Sequence, residues 1–534
     1  MAEVKREGLA AEGAAKTYER LKNDRNDYVT RAEDCAKYTI PSLFPKDSDD
    51  GGTSYTTPWQ SIGARGLNNI SAKVNLALFP VGAPFFKLNI SELELKQIIT
   101  DSSALQDVAQ GLSMVERIVL SYMEANGYRT SLVEAIRQLF VSGNVLLYVT
   151  NPDEMMDGEM AGLKVYRLPS YVVERDGFDN VLQIVAVDKI ARVALPEDIQ
   201  SAIAEETTDE NLTEEVEIYT HIYRNSETQM FTVYQEIEGE IVAGSEGEYP
   251  LDACPWIPVR LIKMPNEDYG RSFVEEYLGD LKSLEALYEA MIKMSMIAAK
   301  VLFMVNPNGQ TQVRRMAKAN TGDFVAGRKE DIGVFQLEKQ QDFNTAKIVA
   351  DTIEARLSYA FMLNSAVQRG GDRVTAEEIR YVAGELEDTL GGIYSLLSQE
   401  LQMPLVRILL RVLEATSKIP NLPKEAVEPA VATGLEALGR GHDLDKLNMF
   451  VNGIATLSAI QDEDLNMRDI KMRYANSLGM DTAGMILTPE EKQQKMAEMA
   501  QQQAMMQGGA AAGGVMGQAG GQAMAEQAAQ MMQQ

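Results

Sequence analysis

Histidine, cysteine and tryptophan are almost missing from this chain, with two of each in 534 residues. Cys35 and Cys254 lie far apart, which excludes a disulfide scaffold and any cysteine-rich zinc or iron–sulfur site. With only His221 and His442, a multi-histidine metal centre is excluded too. Bases are scarce relative to acids, 50 Lys plus Arg against 78 Asp plus Glu, for a formal charge of -28. Sequence-neutral grip on nucleic acid rests on neutralising phosphates, so that class is disfavoured. No apolar run reaches about 18 residues, and no transmembrane helix is expected. The longest candidate, Met294 to Val305, is broken by Lys300. Residues Met1 to Glu7 are charged and have no apolar stretch behind them. They do not read as a secretory signal, and a reducing cytosol is the expected place of synthesis.

Catalytic motifs are missing in the same way. There is no Gly-x-x-x-x-Gly-Lys-Ser/Thr phosphate loop, no Gly-x-Ser-x-Gly elbow, and no strand before the tail glycines near Gly508 to Gly521. The histidines and cysteines have no spacing that suggests a nucleophile–base pair. Asp47, Asp49 and Gly52 match three positions of a calcium loop, but Gly51 and Pro58 stand where ligands are required. The pairs Glu275–Glu276 and Glu377–Glu378 leave an acidic hydrolase open as an alternative, although exposed helix faces explain them more simply.

What is present is ordinary globular chemistry, 45% hydrophobic, in a chain long enough for about three or four domains. Residues 5 to 38 predict a helix, with Tyr18, Leu21, Tyr28, Ala32 and Cys35 on one face and Arg25 as the one polar intruder. A second helix is expected from Trp59 to Phe79, and two more over 102 to 142, split near Asn126-Gly127. From Asn144 to Met264 the period changes to 2. Val145–Val149, Val181–Val187, Val216–Tyr223, Met230–Ile237 and Trp256–Ile262 predict an antiparallel β module. Residues 205 to 217 hold seven carboxylates and no base, the mark of a solvated loop.

One long helix is then expected from Ser272 to about Val305, a compact tip over Asn306 to about Gln340, and a helix back from Phe343 to Met362. A loop from Asn364 to Val374, centred on Gly370-Gly371, opens a pattern of about 40 residues with apolar positions three or four apart. Thr375 and Glu378 fit a capping box there, and Gly391-Gly392 marks a bend, with close packing of two helices as the other explanation. From Gln501 to Gln534 the chain is Gln, Ala, Gly and Met with one charge, too poor in apolar surface to order itself.

Several blocks carry a family likeness: Ala11 to Pro45 with Tyr18-Glu19-Arg20-Leu21-Lys22-Asn23-Asp24-Arg25, Arg65 to Asn69, Ala253-Cys254-Pro255, Tyr269 to Ser272, Phe361 to Arg369, and most strongly Val374 to Val382. In wording and in order of parts, about residues 1 to 495 resemble the portal, or head-to-tail connector, family of short-tailed bacteriophages of the autographivirus type. The resemblance implies an α+β, mainly α, portal-type fold. Its parts would be a wing (helical 1–143, β module 144–269), stem helix one (270–305), a small α/β clip (306–341), stem helix two (342–363), a tunnel loop (364–375), a long kinked helix (376–419), a helical crown (420–500) and a disordered tail (501–534). The family forms a homododecameric ring at one capsid vertex, non-enzymatic and without cofactor or metal. Double-stranded DNA enters and leaves through the ring. Implied partners are the terminase large subunit, major capsid and scaffolding proteins, the tail adaptor and internal core proteins, with no membrane. The virion is the expected location, and the host cytoplasm during assembly. A tail adaptor ring is the other virion reading, but adaptors are usually much shorter chains.

The resemblance assigns candidate residues. Gln368, Arg369, Gly370, Gly371 and Arg373 would form the tunnel loop that constricts the channel. Arg314, Arg315 and Lys318 would face the motor, the adaptor or DNA from the clip, where five bases meet three acids. On their own these charges read first as solvated. Glu276, Asp280, Glu289, Asp351 and Glu354 are candidates for an acidic channel wall, and Gly391 and Gly392 for the helix kink.

Overall fold

A computed structural model describes residues 8–46, 49, 51–80, 84–90, 102–150, 162–195, 214–298, 302–309, 311–335, 340–363, 392–422 and 427–431. In chain order the main elements are α1 (Ala14–Lys37), α2 (Ile62–Leu78), β1 (Phe86–Ile90), α3 (Ser102–Ala125), α4 (Tyr128–Ser142), β2 (Asn144–Val149), β3 (Leu163–Tyr166), β4 (Tyr171–Arg175), β5 (Val181–Ala191), β6 (Glu215–Arg224), β7 (Met230–Ile237), β8 (Glu240–Ile241), β9 (Gly247–Pro250) and β10 (Trp256–Arg260). There follow α5 (Phe273–Glu276), α6 (Leu278–Ala298), β11 (Leu302–Val305), α7 (Val313–Met316), β12 (Ile332–Phe335), α8 (Gln340–Ala360), α9 (Met403–Ala415) and β13 (Val427–Val431).

Helix α1 buries the face its spacing predicts, including Tyr18, Leu21, Ala32 and Cys35. Arg25 belongs to that buried face because carbonyls meet it there. Its Nη1 donates to Pro169 O at 2.7 Å and to Tyr171 O at 3.0 Å. The helix starts at Gly13, whose φ of 83° suits only glycine. The Glu236 carboxylate accepts from Ala14 N at 2.8 Å and Ala15 N at 3.3 Å, satisfying donors that a helix start leaves open.

The β module forms two antiparallel sheets. One runs β4-β5-β6-β7-β8, with β9 also on β7. The other runs β10-β2-β3, with Trp256 stacked on Tyr148 at 4.4 Å. Helices α2 to α4, the second sheet, the roots of α6 and α8, and the helix over 392–415 share one large core, into which Leu67, Ile136, Phe140, Leu146, Leu284, Leu357 and Leu405 are fully buried.

The structure departs from the sequence expectation in three places. Leu302–Val305 is not the end of the stem helix but a strand, paired antiparallel from Leu302↔Phe335 to Val305↔Ile332. Its β-branched and aromatic character finds its partner on the far side of the tip. The stem helix is also interrupted at Tyr277, between α5 and α6. The region from 420, expected to be helical, begins with strand β13, which pairs with β1 in the register Phe86↔Val431 to Ile90↔Val427. The long helix also carries a π turn at Ser398–Gln402, just before Pro404. Gly391 and the chain before it, back to residue 364, lie outside the described residues, and with them the bend expected at Gly391-Gly392, as does the chain expected to form the crown from residue 432 onward.

Candidate stem, clip and helix-root residues

Helices α6 and α8 form the expected hairpin, and most of the stem carboxylates are engaged within one subunit. Asp280 pairs with Arg356 across the two helices at 2.9 Å. Glu289 pairs with Lys293 one turn along at 2.6 Å. Glu354 accepts from the Tyr288 hydroxyl at 2.8 Å, and burial, helped by that bond, pushes the phenol up to about 12. The Asp280–Arg356 and Tyr288–Glu354 pairs cross the hairpin, whereas Glu289–Lys293 lies within α6; exposed ion pairs of this kind contribute about 0–1 kcal/mol each. Glu276 and Asp351 are exposed. Partial desolvation and then the adjacent Glu275 raise the Glu276 carboxyl above its ordinary value.

Glu275 itself faces Arg271 at 3.4 Å and Arg31 at 3.8 Å, a salt-bridge cluster rather than an acid/base pair with Glu276. Glu377 and Glu378 lie outside the described residues. Among the described residues no three His, Cys, Asp or Glu side chains are grouped to hold a metal ion. No described helix is long and apolar enough to cross a membrane.

The tip is held from inside by a polar knot. Thr311 Oγ1 donates to Asp331 Oδ2 at 2.8 Å and accepts from Arg328 N at 3.0 Å, and Asn306 N donates to Asp331 O at 2.9 Å. Asp331 is therefore a structural acid, although its charge gave no hint of it. Arg314, Arg315 and Lys318 are all exposed on α7 and the turn after it. In the same tip Met316 is exposed and Phe324 wholly so.

The tunnel-loop candidates Gln368, Arg369, Gly370, Gly371 and Arg373 lie outside the described residues. The chain leading to them is firmly anchored. Phe361 is fully buried, edge-on to Phe273 at 5.8 Å. Asn69 Nδ2 donates to Phe361 O at 2.9 Å and to Met362 O at 3.0 Å, and Lys73 Nζ to Met362 O at 2.9 Å. Gly66 is glycine because a Cβ there would stand 2.5 Å from Phe361 Cγ.

A second anchor follows the loop. Tyr394 OH donates to Ala77 O at 3.0 Å and Gln402 Nε2 to Leu78 O at 2.6 Å, capping carbonyls at the end of α2. Glu400, in the π turn, accepts from Arg260 Nη2 at 2.6 Å, and Arg260 Nη1 donates to Asp179 at 3.0 Å. Burial alone would lower the Arg260 pKa, but the Glu400 bond keeps it raised. Sequence reasoning missed this pair. Its partners are 140 residues apart, and nothing local marks either one.

The described chain is thus a two-helix hairpin carried by an α+β body, with an internal polar knot and an exposed tip that carries bases and apolar side chains. The profile described as bacteriophage head to tail connecting protein matches residues 11–486, and the chain belongs to that family. It is 59% identical over 497 residues to the portal protein of Escherichia phage T7, covering 93% of this chain and 92% of that one. To the portal protein of Enterobacteria phage T3 it is 58% identical over 501 residues, covering 94% and 93%. A more distant relative, the portal protein of Pseudomonas phage phiKMV, is 30% identical over 495 residues, covering 91% and 94%. A chain from the neck of an empty gene transfer agent particle aligns over 79% of this chain and 90% of its own at 13% identity, with a TM-score of 0.37, a likeness on which nothing further rests.

Proposed function

We propose that this chain is the portal of a T7-like virion. It forms a homododecameric ring at one capsid vertex, the ring conducts double-stranded DNA inward during packaging and outward at ejection, and the protein performs no turnover. The observation that carries this reading is identity of 59% sustained over 93% of the chain, stem and tip included. Exposed apolar residues on the hairpin support it. Met296, Ile297, Ile348, Val349 and Tyr359 all face water in the single subunit, Tyr359 at 78% exposure. A patch of that kind marks an interface, and neighbouring copies in a ring would cover it.

The acidic balance fits a conduit. A wall of bases would trap a polyanion through counterion release at many phosphates, whereas carboxylates let it slide without a preferred register. Glu276 and Asp351 are the exposed stem acids suited to this; Asp280 and Glu354 would act mainly by holding the hairpin, and Glu289 is paired within its own helix. Sparse bases are reserved for contact points. Arg369 and Arg373, in the loop with Gln368, Gly370 and Gly371, repeat around the ring as a constriction that touches phosphate. Gly391-Gly392 kinks the helix that follows. Arg314, Arg315 and Lys318, with the exposed Phe324 of the same tip, are the clip surface for the terminase large subunit and later the tail adaptor. Capsid, scaffolding and internal core proteins complete the partners, and assembly takes place in the host cytoplasm.

Packaging in a phage that carries Arg369→Ala with Arg373→Ala tests the loop assignment. The expected result is normal rings with impaired packaging or DNA retention. Normal packaging and normal retention would sink it.

A further inference from the structure

The segment 392–415 is one helix with an extra residue in it. Between 392–397 and α9 the ladder widens into the π turn, where Met403 N donates to Ser398 O, five residues back. Pro404 has no N–H to return to the carbonyl of residue 400, so the α ladder is already broken there. The extra residue sets which side chains share a face. Tyr394 and Gln402 are eight positions apart, which in an unbroken α-helix turns them roughly 80° from each other. With one residue absorbed by the π turn they behave like positions seven apart, roughly 20° off. That alignment lets both reach adjacent carbonyls, Ala77 O and Leu78 O, at the end of α2.

One further contact holds the turn in this form. Glu400, at its centre, receives Arg260 Nη2 at 2.6 Å, Nε at 3.2 Å and the Arg260 backbone N–H at 3.1 Å. Arg260 is 2% exposed and ends strand β10. Its other arm is fixed by Asp179, which Lys263 also holds at 2.6 Å.

We propose that 392–415 is a two-register helix, that the Arg260–Glu400 pair latches it in the π register, and that the β module governs it through that pair. In the alternative register the π turn closes to α. The segment 392–397 then rotates by about 100° and shifts by about 1.5 Å, while α9 stays in place. Leu397, fully buried in the present register, turns outward, and Ser395, exposed now, turns toward cover. A displacement of β10 against the helix would release the latch, so the pair joins two parts of the molecule mechanically. Single π turns inside α-helices are frequent at functional sites.

The test is the rate of thiol modification at single cysteines, Leu397→Cys or Ser395→Cys, in the full chain with Cys35→Ala and Cys254→Ser. Adding Glu400→Gln should raise the rate at position 397 at least tenfold and lower it several-fold at position 395. That reciprocal change is the signature of rotation. Rates that rise together at both positions would mean fraying or unfolding and would overturn the proposal, as would rates that do not move. Pro404→Ala restores the missing N–H and, added to Glu400→Gln, should enlarge the same reciprocal change. If Glu400→Gln does not fold, Arg260→Gln cuts the same latch from the other side, and an unchanged pair of rates there overturns the proposal.

Discussion

Gly66→Ala is a small change for which the structure and simple helix propensity predict opposite signs. Gly66 lies inside α2, where alanine would ordinarily gain about 1 kcal/mol. Its new Cβ, however, would stand 2.5 Å from Phe361 Cγ and 2.8 Å from Phe361 Cβ. These atoms are the root of a fully buried ring wedged against Phe273 and Tyr277, not the free end of a flexible side chain. Relief needs a shift of about an ångström in the ring or in α2, and overpacking of that kind costs about 1–3 kcal/mol. With the upper end of that range set against the propensity gain, the expected net loss is about 2 kcal/mol. Urea unfolding at one fixed protein concentration, so that assembly does not enter the comparison, gives the number. Phe361→Ala alone should cost about 3–5 kcal/mol. In the double variant the clash is gone, so Gly66→Ala should then be neutral or stabilising. A Gly66→Ala protein about 1 kcal/mol more stable than the parent would refute the reasoning, and with it the claim that Phe361 fixes the stem return against α2.

Two further outcomes follow from the same geometry. His221 is fully buried between Tyr234 OH at 3.0 Å and Gln183 Oε1 at 2.9 Å, and burial, with Arg20 adding to it, holds its pKa down at about 3. The unfolded chain therefore takes up a proton from about pH 6.5 downward that the folded chain refuses, and stability falls as pH drops through that window. Between pH 6.5 and 5 the parent should lose about 2 kcal/mol and His221→Gln less than about 0.5 kcal/mol, measured by urea midpoints; equal losses would contradict the assignment. At the tip, Arg314→Ala, Arg315→Ala and Lys318→Ala together should leave ring formation intact while capture of the motor or adaptor falls at least about tenfold, the loss of a few charge-assisted contacts. Unchanged capture would remove these residues from the docking surface.

Much of the fold was legible because its signals are local. The buried face of α1 follows from Tyr18, Leu21, Ala32 and Cys35, and strands β5 to β7 and β10 follow from runs of β-branched and aromatic residues bounded by turn formers. What stayed hidden depends on partners remote in sequence. Leu302–Val305 looks like the end of a helix until Ile332–Phe335 lies beside it, and Val427–Val431 is a strand only because Phe86–Ile90 offers an edge. Arg25 looked out of place on an apolar face because carbonyls from Pro169 and Tyr171 cannot be read from α1. The stem acids were legible as charges but not as pairs: Asp280 with Arg356, and Glu354 with Tyr288, meet only once the hairpin closes. Glu400 carried no local mark, since a π turn is defined by which carbonyl an N–H reaches.

The central claim, a ring-forming portal, is tested most directly by the mass of the purified chain under native conditions, alone and with its scaffolding protein, beside end-on electron-microscope averages. A closed ring of about twelve copies with a hole that admits duplex DNA is the predicted result. A chain that remains a monomer or dimer even with the scaffold present would contradict it.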